Sequence, residues 1–296
     1  MNFPLAMFQP RTAIQKIQTD AEQAARRFRL PFSSRAWSGV QGNWTGNGAG
    51  SSIDFQGHRS YQWGDDPRDI HWAAYARTGQ LTMKVFQAEL SPRVDVAVDV
   101  SESMFFHENR AARTQELLQF CLLSAARTGG LLQIHAVKGR RFLPLETEEI
   151  LSGQWLRRIR DLPPDEMMPV IPVWRPNGMK ILLTDLLYPG EPDSLLAAMT
   201  AHKGLSIILA PTLPEEAELP SAGNVKLKNC ESGRVRRQLV TPALAKRYAR
   251  AYAAHFELWA SACLRHQAVL ARVPCTGSLT EALSGEAFAQ GAVELA

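Results

Sequence analysis

Four cysteines in 296 residues, none of them in a Cys-x-x-Cys pair, leave this chain without a thiol framework. Cys121, Cys230, Cys263 and Cys275 are scattered, which argues against a disulfide scaffold and against a zinc site built on thiolates. They read as free, mostly buried thiols of a reducing cytoplasm. No stretch approaches the ~20 consecutive apolar residues of a membrane helix, so no integral membrane segment is expected. The first ten residues hold two prolines and no lysine or arginine, which does not describe a signal peptide. An excess of one charge is missing too. Thirty-three basic side chains against 29 acidic ones give a formal net charge of +4, too little to imply an anionic partner. Basic clusters at 26–29, 234–237 and 246–250 lie far apart and lack interleaved aromatics, so they read as solvated faces and no nucleic acid is expected. No Gly-x-x-x-x-Gly-Lys-[Ser/Thr] loop is present, which removes the usual nucleotide hydrolases.

What is present is an α/β pattern with 45% hydrophobic residues, enough for one large or two ordinary domains. Residues 12–29 have helix-forming composition and end at Pro31. Residues 39–52 are rich in Gly, Asn and Ser and read as a loop. Short strands and turns follow, with 81–86 extended. From Arg93 onward strands and helices alternate. Strands are expected at 93–100, 131–137, 142–145, 179–184, 205–210, 225–227 and 269–273. Helices are expected at 107–127, 149–160, 193–202, 241–265 and 279–283, the fourth started by Thr241-Pro242. Such alternation predicts a doubly wound, mainly parallel sheet. Two regions are expected: 1–90, an N-terminal helix and small β-containing extension packed on the core, and 91–296, the α/β core itself.

The chemistry concentrates where the first core strand ends. Residues 93–100 read Arg-Val-Asp-Val-Ala-Val-Asp-Val, a β-branched run suited to a buried sheet. Asp99 closes it, and Ser101 and Ser103 follow at alternate positions. A carboxylate and two hydroxyls at a strand's C-terminal end offer hard oxygen donors where open α/β sheets bind ligands, and such donors suit Mg²⁺ or Mn²⁺ better than zinc. A second carboxylate, Asp185, stops the apolar run 179–184 before Pro189-Gly190. The competing reading is that Ser101 and Ser103 merely cap the next helix. This Asp-x-Ser-x-Ser spelling resembles the metal-ion-dependent adhesion site of von Willebrand factor A-type domains. The resemblance implies a metal held by Asp99, Ser101, Ser103 and, through water, Asp185, with a partner's acidic side chain completing the shell. It also implies a Thr ligand from the stretch before the Asp185 strand. Residues 161–178 contain neither Thr nor Ser, so weak affinity and low occupancy are expected.

Upstream, Arg59, Tyr61, Gly64-Asp65-Asp66, Arg68, Ile70, Trp72, Ala76-Arg77 and Leu81 stand in order before the Asp-x-Ser-x-Ser-Met of 99–104. This series resembles the signature of the bacterial family named domain of unknown function 58, although His71 stands where that family usually has Asp. Asp65, Asp66 and Asp69 are expected to pair with Arg59, Arg68 and Arg77 in a clamp that fixes this segment to the core, with Trp63 and Trp72 as packing residues. His255 and His266 are taken as ordinary helix residues. The resemblance implies a cytoplasmic, non-catalytic protein-interaction module that acts as adaptor of a MoxR-type AAA+ ATPase and its client protein complex. The alternative is a Mg²⁺-dependent phosphohydrolase using Asp99 and Asp185. Against it, Ser101 stands where phosphatases of the haloacid dehalogenase type carry a second Asp, and no His stands in a motif that would activate a serine.

Overall fold

The computed structural model describes residues 11–32, 53–63, 67, 70–88, 92–163, 168–169, 174–219 and 223–296. The chain divides into two compact units, Met1–Gly42 with Pro92–Ala296, and Asn43–Ser91. This division regroups the N-terminal helix, which the sequence reading joined to the 1–90 region. Helix Arg11–Arg27 presents Ala21, Ala24 and Ala25 to the same apolar cluster as Leu117, Leu118 and Cys121 of helix Glu108–Arg127. Small side chains at that contact let the two backbones approach, and side chains bridge them. Leu30 N–H donates to Ser124 Oγ at 2.7 Å, and Arg127 donates to the Ala25 carbonyl. Two residues of strand, Phe28–Arg29, then pair antiparallel with Glu294–Leu295 at the C-terminal end.

The larger unit is built on a six-stranded sheet ordered Val269–Pro274, Gly204–Thr212, Gly178–Leu183, Arg93–Asp99, Leu131–Lys138, Arg141–Leu145. Five of these strands run parallel and only Arg141–Leu145, at one edge, is antiparallel to its neighbour. Pro144 is tolerated there because an edge strand has one side without ladder bonds. The valine alternation explains the sheet's two-sided burial. Val94, Val96 and Val98 face the cluster containing helices Arg11–Arg27 and Glu108–Arg127. Ala97 and Leu182 face the opposite cluster, with Leu195 and Leu196 of helix Pro192–Thr200 and Trp259 of helix Pro242–Arg265. Helices thus cover both faces, as a parallel sheet requires. The strands succeed one another outward in both directions from Arg93–Asp99 and Gly178–Leu183, so the topological switch point lies between those two. Asp99 and Asp185 stand at the ends of those strands.

Several expectations are corrected. Residues 149–160 form two short helices, Thr147–Ser152 and Trp155–Arg160, because Gly153 takes a left-handed conformation (φ 71°) that ends the first. The strand expected at 225–227 is half of a hairpin, Gly223–Lys228 paired with Val235–Val240. In the smaller unit, Ile53–Ser60 pairs with Thr82–Ala88, with a bulge between Phe55 and Gly57, and helix Trp72–Thr78 has no buried residue. Trp63 and Trp72, expected to pack, are 99% and 60% exposed among the described residues, Trp72 meeting Tyr75 edge to face with ring centroids 6.2 Å apart. Asp65, Asp66, Arg68 and Asp69 of the expected clamp lie outside the described residues, as does the 39–52 loop. Among the described residues, no helix is long and apolar enough to cross a membrane.

Candidate functional site at the sheet switch point

Asp99, buried to 2% exposure at the end of its strand, is gripped on both oxygens. Its Oδ1 accepts from Ser101 N–H at 2.9 Å, which turns the chain after the strand, and its Oδ2 accepts from Thr184 Oγ1 at 2.7 Å. The hydroxyls of Ser101 and Ser103 lie 3.0 Å apart. Asp99, Ser101 and Ser103 line one cavity of about 150 Å³, together with Gly139, Pro169, Tyr188 and Glu231 among others.

Asp185 is near enough for its charge to act on Asp99, yet its carboxylate is committed elsewhere. Oδ2 accepts from Arg110 Nη1 at 2.8 Å and Oδ1 from Leu187 N–H at 3.0 Å, and Asp185 does not line the cavity. The backbone just beyond it is bent. Leu186 has φ 61°, an arrangement that costs a non-glycine residue about 1–2 kcal/mol and tends to occur at functional sites. Two groups hold that bend. Thr184 Oγ1 accepts from Leu186 N–H at 3.3 Å, and the His255 ring lies 2.8 Å from the Leu186 carbonyl. His255 is therefore a support of this loop rather than an ordinary helix residue.

Arg110 ties the two strand-end loops together. Besides Asp185 it donates to the Ser103 carbonyl at 3.1 Å and pairs with Glu216, while being only 3% exposed itself. Lys138, fully buried, pairs with Glu102 at 2.7 Å on the other side of the Ser101–Ser103 turn. Glu231 arrives from the tip of the hairpin. Its Oε1 accepts from Ser103 N–H at 2.8 Å and its Oε2 from Glu102 N–H at 3.2 Å. None of Arg110, Thr184 and Glu231 was singled out by sequence.

The electrostatics follow from crowding of carboxyls in a water-poor pocket. Burial, and then the neighbouring Asp185 carboxylate, push Asp99 up to about 6, although the Ser101 and Thr184 hydrogen bonds oppose this. Burial and then the adjacent Glu102 push Glu231 up to about 8. For Glu102 itself burial acts upward, but Glu231 and Lys138 outweigh it and its carboxyl is lowered.

The donors facing the cavity are carboxylate and hydroxyl oxygens, the chemistry that Mg²⁺ and Mn²⁺ favour. Among the described residues no three His, Cys, Asp or Glu side chains converge as a metal cluster. A cation here would depend on Asp99, the two serine hydroxyls and water, with Asp185 reached through its own water or by release from Arg110.

Comparison with known proteins supplies the lineage. Residues 57–257 match the family described as protein of unknown function DUF58. This chain belongs to the DUF58 family. Uncharacterized proteins of Mycobacterium bovis and Mycobacterium tuberculosis are 31% identical over 215 residues, covering 67% of this chain and 67% of each relative. Two solved structures align more loosely. One, an aerotolerance-related membrane protein from Bacteroides fragilis carrying multiple mutations to serines, aligns with 68% of this chain and 98% of its own at 12% identity and TM-score 0.37. The other, the conserved hypothetical protein BatB from Bacteroides thetaiotaomicron, aligns with 67% and 97% at 14% identity and TM-score 0.34. At those scores neither carries an argument about this DUF58 chain. The matched span does include every residue of the switch-point cavity named above.

Proposed function

We propose that this DUF58 protein is a non-catalytic protein-interaction module of von Willebrand factor A-like design, in which Asp99, Ser101 and Ser103, supported by Asp185, hold a Mg²⁺-like ion that a partner's carboxylate then ligates. The observation that carries the reading is the joining of Asp99, Ser101 and Ser103 in one small cavity at the sheet's switch point. A bound divalent ion would supply a positive point charge with a free coordination position. The chain's own residues do the rest: Thr184 and Ser101 N–H orient Asp99, while Arg110 and Leu187 N–H orient Asp185. By the family resemblance, the partner is a MoxR-type AAA+ ATPase or its client, met in the cytoplasm.

A phosphohydrolase is the weaker reading. It needs Asp99 and Asp185 together, and Asp185 is neutralised by a buried guanidinium and does not line the cavity. The test is a pull-down with the native ATPase in Mg²⁺ and in chelator. Binding abolished by chelator, and lost in the Asp99→Ala, Ser101→Ala double variant, is the expected result. Undiminished binding in both arms would remove this edge of the sheet from consideration. Mg²⁺-dependent turnover of a phosphomonoester, lost in Asp99→Asn, would favour the hydrolase instead.

A further inference from the structure

The hairpin Gly223–Lys228/Val235–Val240 is an arm with little to hold it. Nearly all its residues are at least partly exposed, and Val240 at its base is the exception at 2%. An isolated two-stranded ribbon is marginally stable in water, so its contacts at either end matter. At the tip the chain is shaped for one purpose. Asn229 N–H donates to the Arg234 carbonyl at 2.9 Å, Gly233 N–H to the Asn229 carbonyl at 2.9 Å, and Ser232 N–H to Asn229 Oδ1 at 2.7 Å. That compact turn projects Glu231 onto the amides of Glu102 and Ser103 at the cavity that Asp99, Ser101 and Ser103 line.

The ribbon's exposed surface has a definite character. Directly opposed residues share a face, so Lys228 stands beside Val235, Lys226 beside Arg237, and Asn224 beside Leu239. Lys226, Lys228 and Arg237 are exposed, and Val235 and Leu239 are 61% and 56% exposed. None of the three cations makes an ion pair among the described residues. Like charges opposed across a ladder destabilise it, and an acidic surface over that face would relieve Lys226 against Arg237.

We propose that the hairpin is a tethered surrogate for the partner: Glu231 occupies the partner carboxylate's place in cis, and an acidic protein segment displaces it while docking on the Lys226, Lys228 and Arg237 face. This rests on the interaction-module reading above and names the chemistry of its partner. In the exchange an incoming carboxylate would replace the two amide hydrogen bonds of Glu231 one for one, leaving only the Glu231 side-chain contact with Glu102 without a counterpart. What opposes it is the tether, which keeps Glu231 at an effective concentration of roughly millimolar.

The probe is a fluorescein-labelled hexaglutamate peptide, titrated by anisotropy against the full chain in Mg²⁺ and in EDTA. Glu231→Gln, which keeps the side chain's size, should bind it at least tenfold more tightly than wild type. Reversing the ribbon charges in that background (Lys226→Glu, Arg237→Glu) should remove most of the gain. On wild type, saturating peptide should speed hydrogen exchange at the amides of Ser232 and Gly233 while those of Glu102 and Ser103 stay protected. A gain under threefold, or tip amides that stay protected in the saturated complex, overturns the proposal, and the exchange arm needs no variant to fold. The two readings fail separately. A tenfold gain that EDTA leaves intact keeps the surrogate and removes the metal. Peptide binding that EDTA abolishes but Glu231→Gln does not improve keeps the metal and removes the surrogate.

Discussion

Replacing Arg110 by Met should weaken the fold severely, and Mg²⁺ should restore part of the loss. The substitution retains an unbranched apolar stem and removes only the guanidinium. Asp185, 2% exposed, then loses the cation at 2.8 Å that balances it, and Asp99 remains beside it with a carboxyl already pushed up to about 6, first by burial and then by Asp185. Halving a buried ion pair costs about 3–5 kcal/mol. At about 2–4 °C per kcal/mol for a domain of this size, the melting temperature in EDTA should fall by about 6–20 °C. The second half of the experiment tests the site rather than the pair. A divalent ion shared by Asp99 and Asp185 can take over the missing positive charge, and an ion present at ~100 times its Kd stabilises by about 2.7 kcal/mol. Circular dichroism melts of wild type and Arg110→Met, in EDTA and in excess Mg²⁺, measure both effects. A loss below ~1 kcal/mol would show that water reaches Asp185 and that the burial argument fails. A full loss that Mg²⁺ shifts no more than in wild type would refute cation sharing between the two aspartates.

Two further perturbations lie away from the cavity. Glu116, on the buried side of helix Glu108–Arg127, is pushed up to about 7 by burial, with Arg113 pulling the other way. Its native carboxyl keeps a proton that the unfolded chain releases above about 4.5, so stability should fall as pH rises from there to about 7. Glu116→Gln should flatten that fall and gain up to ~3 kcal/mol on the alkaline side, less whatever the Arg113 contact contributes, as read from urea midpoints on either side of the window. Lys180, fully buried, donates to the Met199 carbonyl at 2.9 Å and to that of His202, securing the end of helix Pro192–Thr200. Lys180→Met should cost about 1–3 kcal/mol by removing the ammonium donor from both carbonyls, Met199's keeping only Ser206 Oγ at 3.2 Å, with peptide binding at the switch point unchanged in the same preparation.

The strand before Asp99 was legible because a β-branched run with an alanine between its valines suits a strand of a buried sheet, and Asp99 is the carboxylate at its C-terminal end. Asp185 was legible for the same reason, as the residue at which an apolar run stops. The strand order needed the structure, since alternation of strand and helix fixes a parallel sheet without saying which strands lie at its centre. Gly153 was a visible break in 149–160, and reading through it gave one helix where the left-handed turn makes two.

The residues that make the site a site were harder to read, and Arg110 and Glu231 show two different reasons. Arg110 did leave a trace: it lies seven residues before Leu117, on the helix face that Leu117, Leu118 and Cys121 bury. A charge on an apolar stripe has to meet an opposite charge or leave the core. That trace says a partner exists but not which one, because Asp185 and Glu216 reach it from other strands' ends. Glu231 left no trace. The strand after it, Val-Arg-Arg-Gln-Leu-Val over 235–240, is exposed along most of its length, so no burial imposes an alternation that could mark it as a strand. Without the hairpin, nothing brings a residue near 231 to one near 103, a separation of 128 positions. Local pattern reports what a segment buries against its own chain, and this hairpin buries almost nothing there.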